Sequence, residues 1–183
     1  MNCIIYLVRS SDKDVEEFNK SLSLLEKNLL KYTDSTDVLV FVEESFEKYK
    51  SKVETNLELL YQTIEFNLPD YPSEILDNIP EFYPHPTHGN GPIEWGHPGF
   101  SMGYRHMCRM FSGEFYKFPI IQEYEYYIRL DTDSFIHTPL EYDIFKWAKD
   151  NECWYGYVAP AVQQDNAKVV EGLWDFVNEH YQN

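Results

Sequence analysis

Basic residues are scarce in this chain. Its 183 residues hold 15 Lys and Arg against 31 Asp and Glu, a net charge of −16. So acidic a surface repels nucleic-acid phosphate and anionic lipid headgroups, so neither nucleic acid nor an anionic membrane is expected as a partner. Cysteine is nearly absent too. Cys3, Cys108 and Cys153 form no Cys-x-x-Cys pair, so a zinc site of that type is unsupported and the odd count leaves at least one thiol free. Cys3 and Cys153 read as small buried hydrophobes. No apolar run is long enough to span a bilayer. The first residues, Met1 to Val8, lack a basic start and pass straight into an apolar run, which predicts a core strand rather than a signal peptide.

What the chain has in quantity is aromatic side chains, 15 Tyr and 12 Phe, a composition that argues against disorder. The length predicts one domain over residues 1–183 with a sizeable core.

Cys3 to Val8 and Val38 to Val42 read as buried strands. Between them Val15, Phe18, Leu22, Leu25 and Leu29 recur at spacings of three and four, which predicts an amphipathic helix over 12–30. A polar helical stretch is expected over 43–60 and a short strand over 63–66. This β-α-β-α order favours a parallel sheet with helices on its faces. Residues 68–99 break the pattern with Pro69, Pro72, Pro80, Pro84, Pro86, Pro92 and Pro98, and with His85, His88 and His97. They predict a long irregular loop, and the three histidines match no metal-ligand spacing. Further helices are expected over 104–111, 141–150 and 167–180, and further strands over 124–130 and 154–158.

Two clusters carry candidate chemistry. In the first, the run Tyr126-Tyr127-Ile128-Arg129-Leu130 ends in Asp131-Thr132-Asp133. Carboxylates leaving a strand of an open α/β sheet stand where such sheets bind ligands. Two hard oxygen donors suit Mg²⁺ or Mn²⁺ carrying a phosphate-bearing ligand. Read alone, the pair is equally a solvated turn, and a second Asp-x-Asp, at Asp12 and Asp14, reads as a helix N-terminus. The second cluster is Tyr104-Arg105-His106-Met107-Cys108-Arg109. On a helix, Arg105 and Arg109 share one face that suits a diphosphate or a sugar, or merely balances an acidic surface. Arg9 closes the first strand, and Arg129 pairs either with a ligand or with Asp131, Asp133 or Glu125.

Taken in order with Ser112-Gly113, Tyr142-Asp143-Ile144-Phe145, Tyr155-Gly156-Tyr157 and the opening Leu7-Val8-Arg9-Ser10, these blocks resemble the fungal α-1,2-mannosyltransferases of glycosyltransferase family 15. That family's hallmarks are Tyr-Arg-His-Met-Cys-Arg, a Ser-Gly pair and Tyr-Tyr-Trp-Arg-Val-Glu-Pro-Asp. The resemblance is dense over residues 93–158 and thin over 45–92. It implies an α/β, GT-A-like (Rossmann-like) sheet and a metal-dependent retaining transfer of mannose. The implied donor is GDP-mannose, the acceptor a glycan or glycoprotein, and the metal Mn²⁺ (or Mg²⁺). Position by position it implies Asp131 and Asp133 as metal ligands, and Arg9, Tyr104 and Arg129 as lining donor and acceptor, with Arg105 and Arg109 in the same motif. It also implies the Golgi lumen, although this chain shows no signal or anchor, which leaves a cytoplasmic location open.

The departures are as informative. Asp131-Thr132-Asp133 stands where the family has Glu-Pro-Asp, and Ile128 stands for Trp. The family's anchor and stem, an Asn-Phe-Glu segment proposed to act in catalysis and a late metal-binding His have no counterpart in these residues, and no nucleophile can be named. A non-catalytic nucleotide-sugar or glycan-binding module is the alternative. A phosphatase using Asp-x-Asp is disfavoured, because Ser134-Phe135 follows where a small residue and Thr or Val are expected.

Overall fold

The computed structural model describes residues 1–68, 72–77, 82–83, 100–157 and 172–181. Two compact units are distinguished, Met1–Asn67 with Phe115–Gly156, and Leu68–Glu114 with Tyr157–Asn183. Each is described by itself.

The first unit is built on four parallel strands: β1 (Asn2–Val8), β2 (Thr36–Glu43), β3 (Leu59–Ile64) and β6 (Tyr126–Leu130), in the order β3-β2-β1-β6. Val8 lies opposite Val42 on one side, and Tyr6 lies opposite Leu130 on the other. From β1 the chain winds outward through β2 to β3, then returns to lay β6 on β1's free side. The strand order therefore reverses between β1 and β6. In a doubly wound sheet that is the topological switch point, where a crevice opens beyond the strands' C-terminal ends.

The two faces of this sheet are packed differently, following the two-residue alternation of strand side chains. Ile4, Tyr6, Val8, Val38, Val40 and Val42 form a core with Val15, Phe18, Leu22 and Leu25 of α1 (Asp12–Asn28), with Leu29 at its C-terminal cap, and with Phe145 of α4 (Ile144–Asp150). Most of these side chains are fully buried. At about 1.5–3 kcal/mol for each large apolar side chain, this face dominates the stability of the unit. The opposite face is covered by two short 3₁₀ turns, Phe115–Lys117 and Pro119–Glu123. There Phe41 meets Phe115 and Phe118 at 5.8 and 5.3 Å between ring centroids.

Several expected boundaries moved. The helix expected over 43–60 is a 3₁₀ segment over Glu44–Lys52 with only Phe46 buried. Leu59 and Leu60 already belong to β3, because pairing with Val38 and Leu39 outweighs their helix propensity. The helix expected from 141 starts at Ile144, since Asp143 caps the amides of Phe145 and Lys146 and Glu141 has φ 56°. No strand forms over 154–157: these residues pair with no strand among the described residues, and Trp154 is 96% exposed. Cys153 is half-buried rather than buried. Cys3 is fully buried, and that burial, with Asp37 nearby, pushes its thiol up to about 12.

In the second unit, β4 (Phe82–Tyr83) pairs antiparallel with β5 (Phe100–Ser101), and α3 (Met102–Arg109) follows at once. A π-helical turn over Met110–Glu114 continues α3. Two further helices are α2 (Ser73–Leu76) and α5 (Leu173–Tyr181). The prolines and histidines of 84–99, Glu94, Val158 and residues 167–171 lie outside the described residues. No helix among the described residues is long and apolar enough to cross a membrane.

Candidate functional site

Asp131 is the first residue beyond β6. The chain turns immediately, with the Ser134 amide donating to the Asp131 carbonyl at 2.9 Å. The Asp131 amide in turn donates to Ser134 Oγ at 3.1 Å. Thr132, at the centre of the turn, is buried, while Asp131 and Asp133 are exposed on either side of it. Two exposed carboxylates are hard oxygen donors of the kind that Mg²⁺ or Mn²⁺ takes, with positions left over for phosphate and water. Among the described residues no group of three or more His, Cys, Asp or Glu could hold a metal.

Arg129, expected to line the ligand cleft or to form an ion pair, is paired with Asp131. Its Nη2 lies 2.9 Å from Asp131 Oδ1. Such a contact orients the carboxylate and offsets the repulsion between two adjacent anions.

Arg9 leaves β1 on the other side of the switch point. Its Nε donates to Asp14 Oδ1 at 3.0 Å while its side chain stays 74% exposed. Asp14 is itself buried. It also accepts from the Ser11 hydroxyl, and Ser11 Oγ caps α1 by accepting from the Asp14 amide. Ser10 Oγ and Ser45 Oγ meet at 2.6 Å where β1 and β2 end. Sequence reasoning overlooked Ser10, Ser45 and Ser134. The only available signal was that each lies just beyond the C-terminal end of a strand.

In the second unit, Ser101 caps α3 by accepting from the Tyr104 amide. Arg105 and Arg109 fall one turn apart on that helix, as expected. Arg109 Nε lies 3.1 Å from Glu114 Oε1, so Glu114 serves as a partner for this arginine. The expected site residues thus form two groups. Arg9, Arg129, Asp131 and Asp133 share one edge of the first unit's sheet, and Tyr104, Arg105 and Arg109 share α3 of the second.

Comparison with known proteins agrees with this architecture. The sequence profile of the family described as glycolipid 2-alpha-mannosyltransferase matches residues 1–183. Alpha-1,2 mannosyltransferase KTR1 of Saccharomyces cerevisiae is 39% identical over 77 residues, 42% of this chain and 19% of that protein. Glycolipid 2-alpha-mannosyltransferase 1 of Candida albicans is 38% identical over 81 residues, 44% of this chain and 18% of the relative. O-glycoside alpha-1,2-mannosyltransferase homolog 4 of Schizosaccharomyces pombe is 26% identical over 184 residues, which take in 97% of this chain and 40% of that protein. The matches therefore span between about a fifth and two fifths of these relatives' lengths. With a full-length profile match on a parallel, GT-A-like α/β sheet, the chain belongs to the glycolipid 2-alpha-mannosyltransferase family, glycosyltransferase family 15.

Proposed function

We propose that this chain binds the donor of a metal-dependent, retaining mannosyl transfer from GDP-mannose to a hydroxyl of a glycan or glycoprotein, in the manner of an α-1,2-mannosyltransferase. The observation that carries this reading is the placement of Arg9 and the Asp131–Asp133 turn on either side of the sheet's switch point. Asp131 and Asp133 would hold Mn²⁺ or Mg²⁺, which supplies Lewis-acid charge to a departing diphosphate when bound.

The chain's own residues do the rest. Arg129 fixes the orientation of the Asp131 carboxylate by donating to it. Arg9, held through Nε, has the terminal nitrogens of its fork directed to solvent, in the geometry that guanidinium uses to grip phosphate.

The test is Mn²⁺-dependent hydrolysis and transfer with GDP-mannose, in wild type and Asp131→Ala. Loss in the variant supports the assignment, and undiminished activity would sink it. Tight GDP-mannose binding with no turnover in wild type would point instead to a binding module.

A further inference from the structure

We propose that a polar seam on helix α1 positions the carboxylate turn. Ser21 and Asn28 hold the Ser134 and Ile136 carbonyls, and through Ser134 they set the geometry of Asp131 and Asp133. The proposal rests on the metal-site reading above.

The buried face of α1 is apolar with three exceptions. Asp14, Ser21 and Asn28 are 5%, 1% and 2% exposed among Val15, Phe18, Leu22, Leu25 and Leu29. They are spaced by sevens. Seven residues make two turns, a rise of about 10.5 Å, with a drift of only about 20°. The three therefore form one line along the helix. A polar group buried in such a face is costly unless it is bonded, so each needs a partner.

The partners share a theme. Asp14 holds Arg9 at the end of β1. Ser21 Oγ donates to the Ser134 carbonyl at 2.7 Å and sits 2.8 Å from the Tyr6 hydroxyl. Since the one Ser21 proton is committed to that carbonyl, Tyr6 must be the donor in the second bond. Asn28 Nδ2 donates to the Ile136 carbonyl at 2.6 Å, and the main-chain carbonyl of Asn28 accepts from the Leu140 amide at 2.9 Å. The segment after the carboxylate turn is thus fastened to α1 at three points.

Asn28 is held at a cost. Its Oδ1 is buried with no hydrogen-bond partner among the described residues, a loss that an apolar residue would avoid. What Asn28 contributes is its donor to the loop. Ser134 is the joint. Its amide and hydroxyl bond Asp131, and its carbonyl bonds Ser21. A shift of that carbonyl moves the turn on which both carboxylates stand.

The experiment titrates Mn²⁺ alone, followed by electron paramagnetic resonance, in the 183-residue chain. Ser21→Ala and Asn28→Ala are compared with Tyr6→Phe. That control also removes a buried hydrogen bond from Ser21 but leaves the bond to Ser134 in place. The expected result is about tenfold weaker Mn²⁺ binding in Ser21→Ala, a weakening of the same sign in Asn28→Ala, and wild-type affinity in Tyr6→Phe. Hydrogen exchange at the Ser134 amide should be faster in Ser21→Ala than in Tyr6→Phe. If Ser21→Ala does not fold, Asn28→Ala decides alone, with the Ser134 amide again as the exchange probe. Wild-type Mn²⁺ affinity in the folded variants, or unchanged exchange, overturns the proposal. Asp131→Ala runs alongside. Full affinity there defeats the metal-site reading and the seam together. Lost affinity there, with none lost in the seam variants, defeats the seam alone.

Discussion

The chain contains two Asp-x-Asp tripeptides, and both follow a strand that borders the switch point. Asp12-Lys13-Asp14 comes four residues after β1, and Asp131-Thr132-Asp133 comes directly after β6. In the first, the middle residue Lys13 faces solvent and pairs with Glu17, while Asp14 turns inward to Arg9 and Asp12 is spent on Lys52 at 2.5 Å. In the second, the middle residue Thr132 turns inward and both carboxylates face out. Following a strand does not by itself make a ligand site. The first tripeptide starts a helix, whose period places only one of its two carboxylates inward. The second forms a turn, which leaves both exposed.

The contrast is most sharply tested at the carboxylates. Asp131→Ala or Asp133→Ala should reduce Mn²⁺-dependent mannosyl transfer by about a hundredfold or more, as loss of a transition-state charge stabiliser does. Because both side chains are exposed, the melting temperature should hardly move, and calorimetry checks that. Asp14→Ala should show the reverse emphasis. It removes the partner of Arg9 and of the Ser11 cap, and should cost about 1–2 kcal/mol of stability, read from denaturant midpoints. An effect of Asp14→Ala on donor affinity larger than its effect on stability would show that the Arg9 contact serves the ligand.

The helix that begins at the first tripeptide reaches the loop of the second through Ser21, and alkaline pH probes the bond that Tyr6 makes to the same Ser21 hydroxyl. Burial pushes the Tyr6 hydroxyl up from about 10 to about 12. A group whose pKa is raised on folding contributes stability that is complete below its unfolded pKa and lost as pH rises through its folded pKa. Stability should therefore decline between about pH 10 and 12, and Tyr6→Phe should flatten that decline in a pH series of urea melts. Cys3 adds a decline that begins near pH 9, with its own pKa also at about 12. The smallest effect belongs to Asp12→Ala. Its ion pair with Lys52 is solvent-exposed, so stability should change by no more than about 0.5 kcal/mol.

Much of this was legible from the residues. The apolar runs of β1 and β2 and the three-and-four spacing of α1 predicted the parallel sheet with helices on its faces, because those patterns are imposed by burial on both faces and on one stripe. β3 was misjudged because Leu59 and Leu60 suit either helix or strand, and only pairing with Val38 and Leu39 decides. Asp131 and Asp133 were legible by their place after an apolar run. The ion pair of Arg129 with Asp131 was among the open alternatives, since arginine length allows several partners. Ser21 and Asn28 were not seen at all. Polar residues on an apolar helix face look like interruptions until the loop that they bond is folded against them.

The most direct test of the central claim is paramagnetic. Mn²⁺ titrated into isotopically labelled protein broadens the amide resonances nearest the bound ion. The amides of residues 131–134 should vanish first, ahead of those of Lys13, Glu16 and Glu17. Persistence of the 131–134 resonances while the first tripeptide broadens, or uniform broadening across the acidic surface, would contradict that claim.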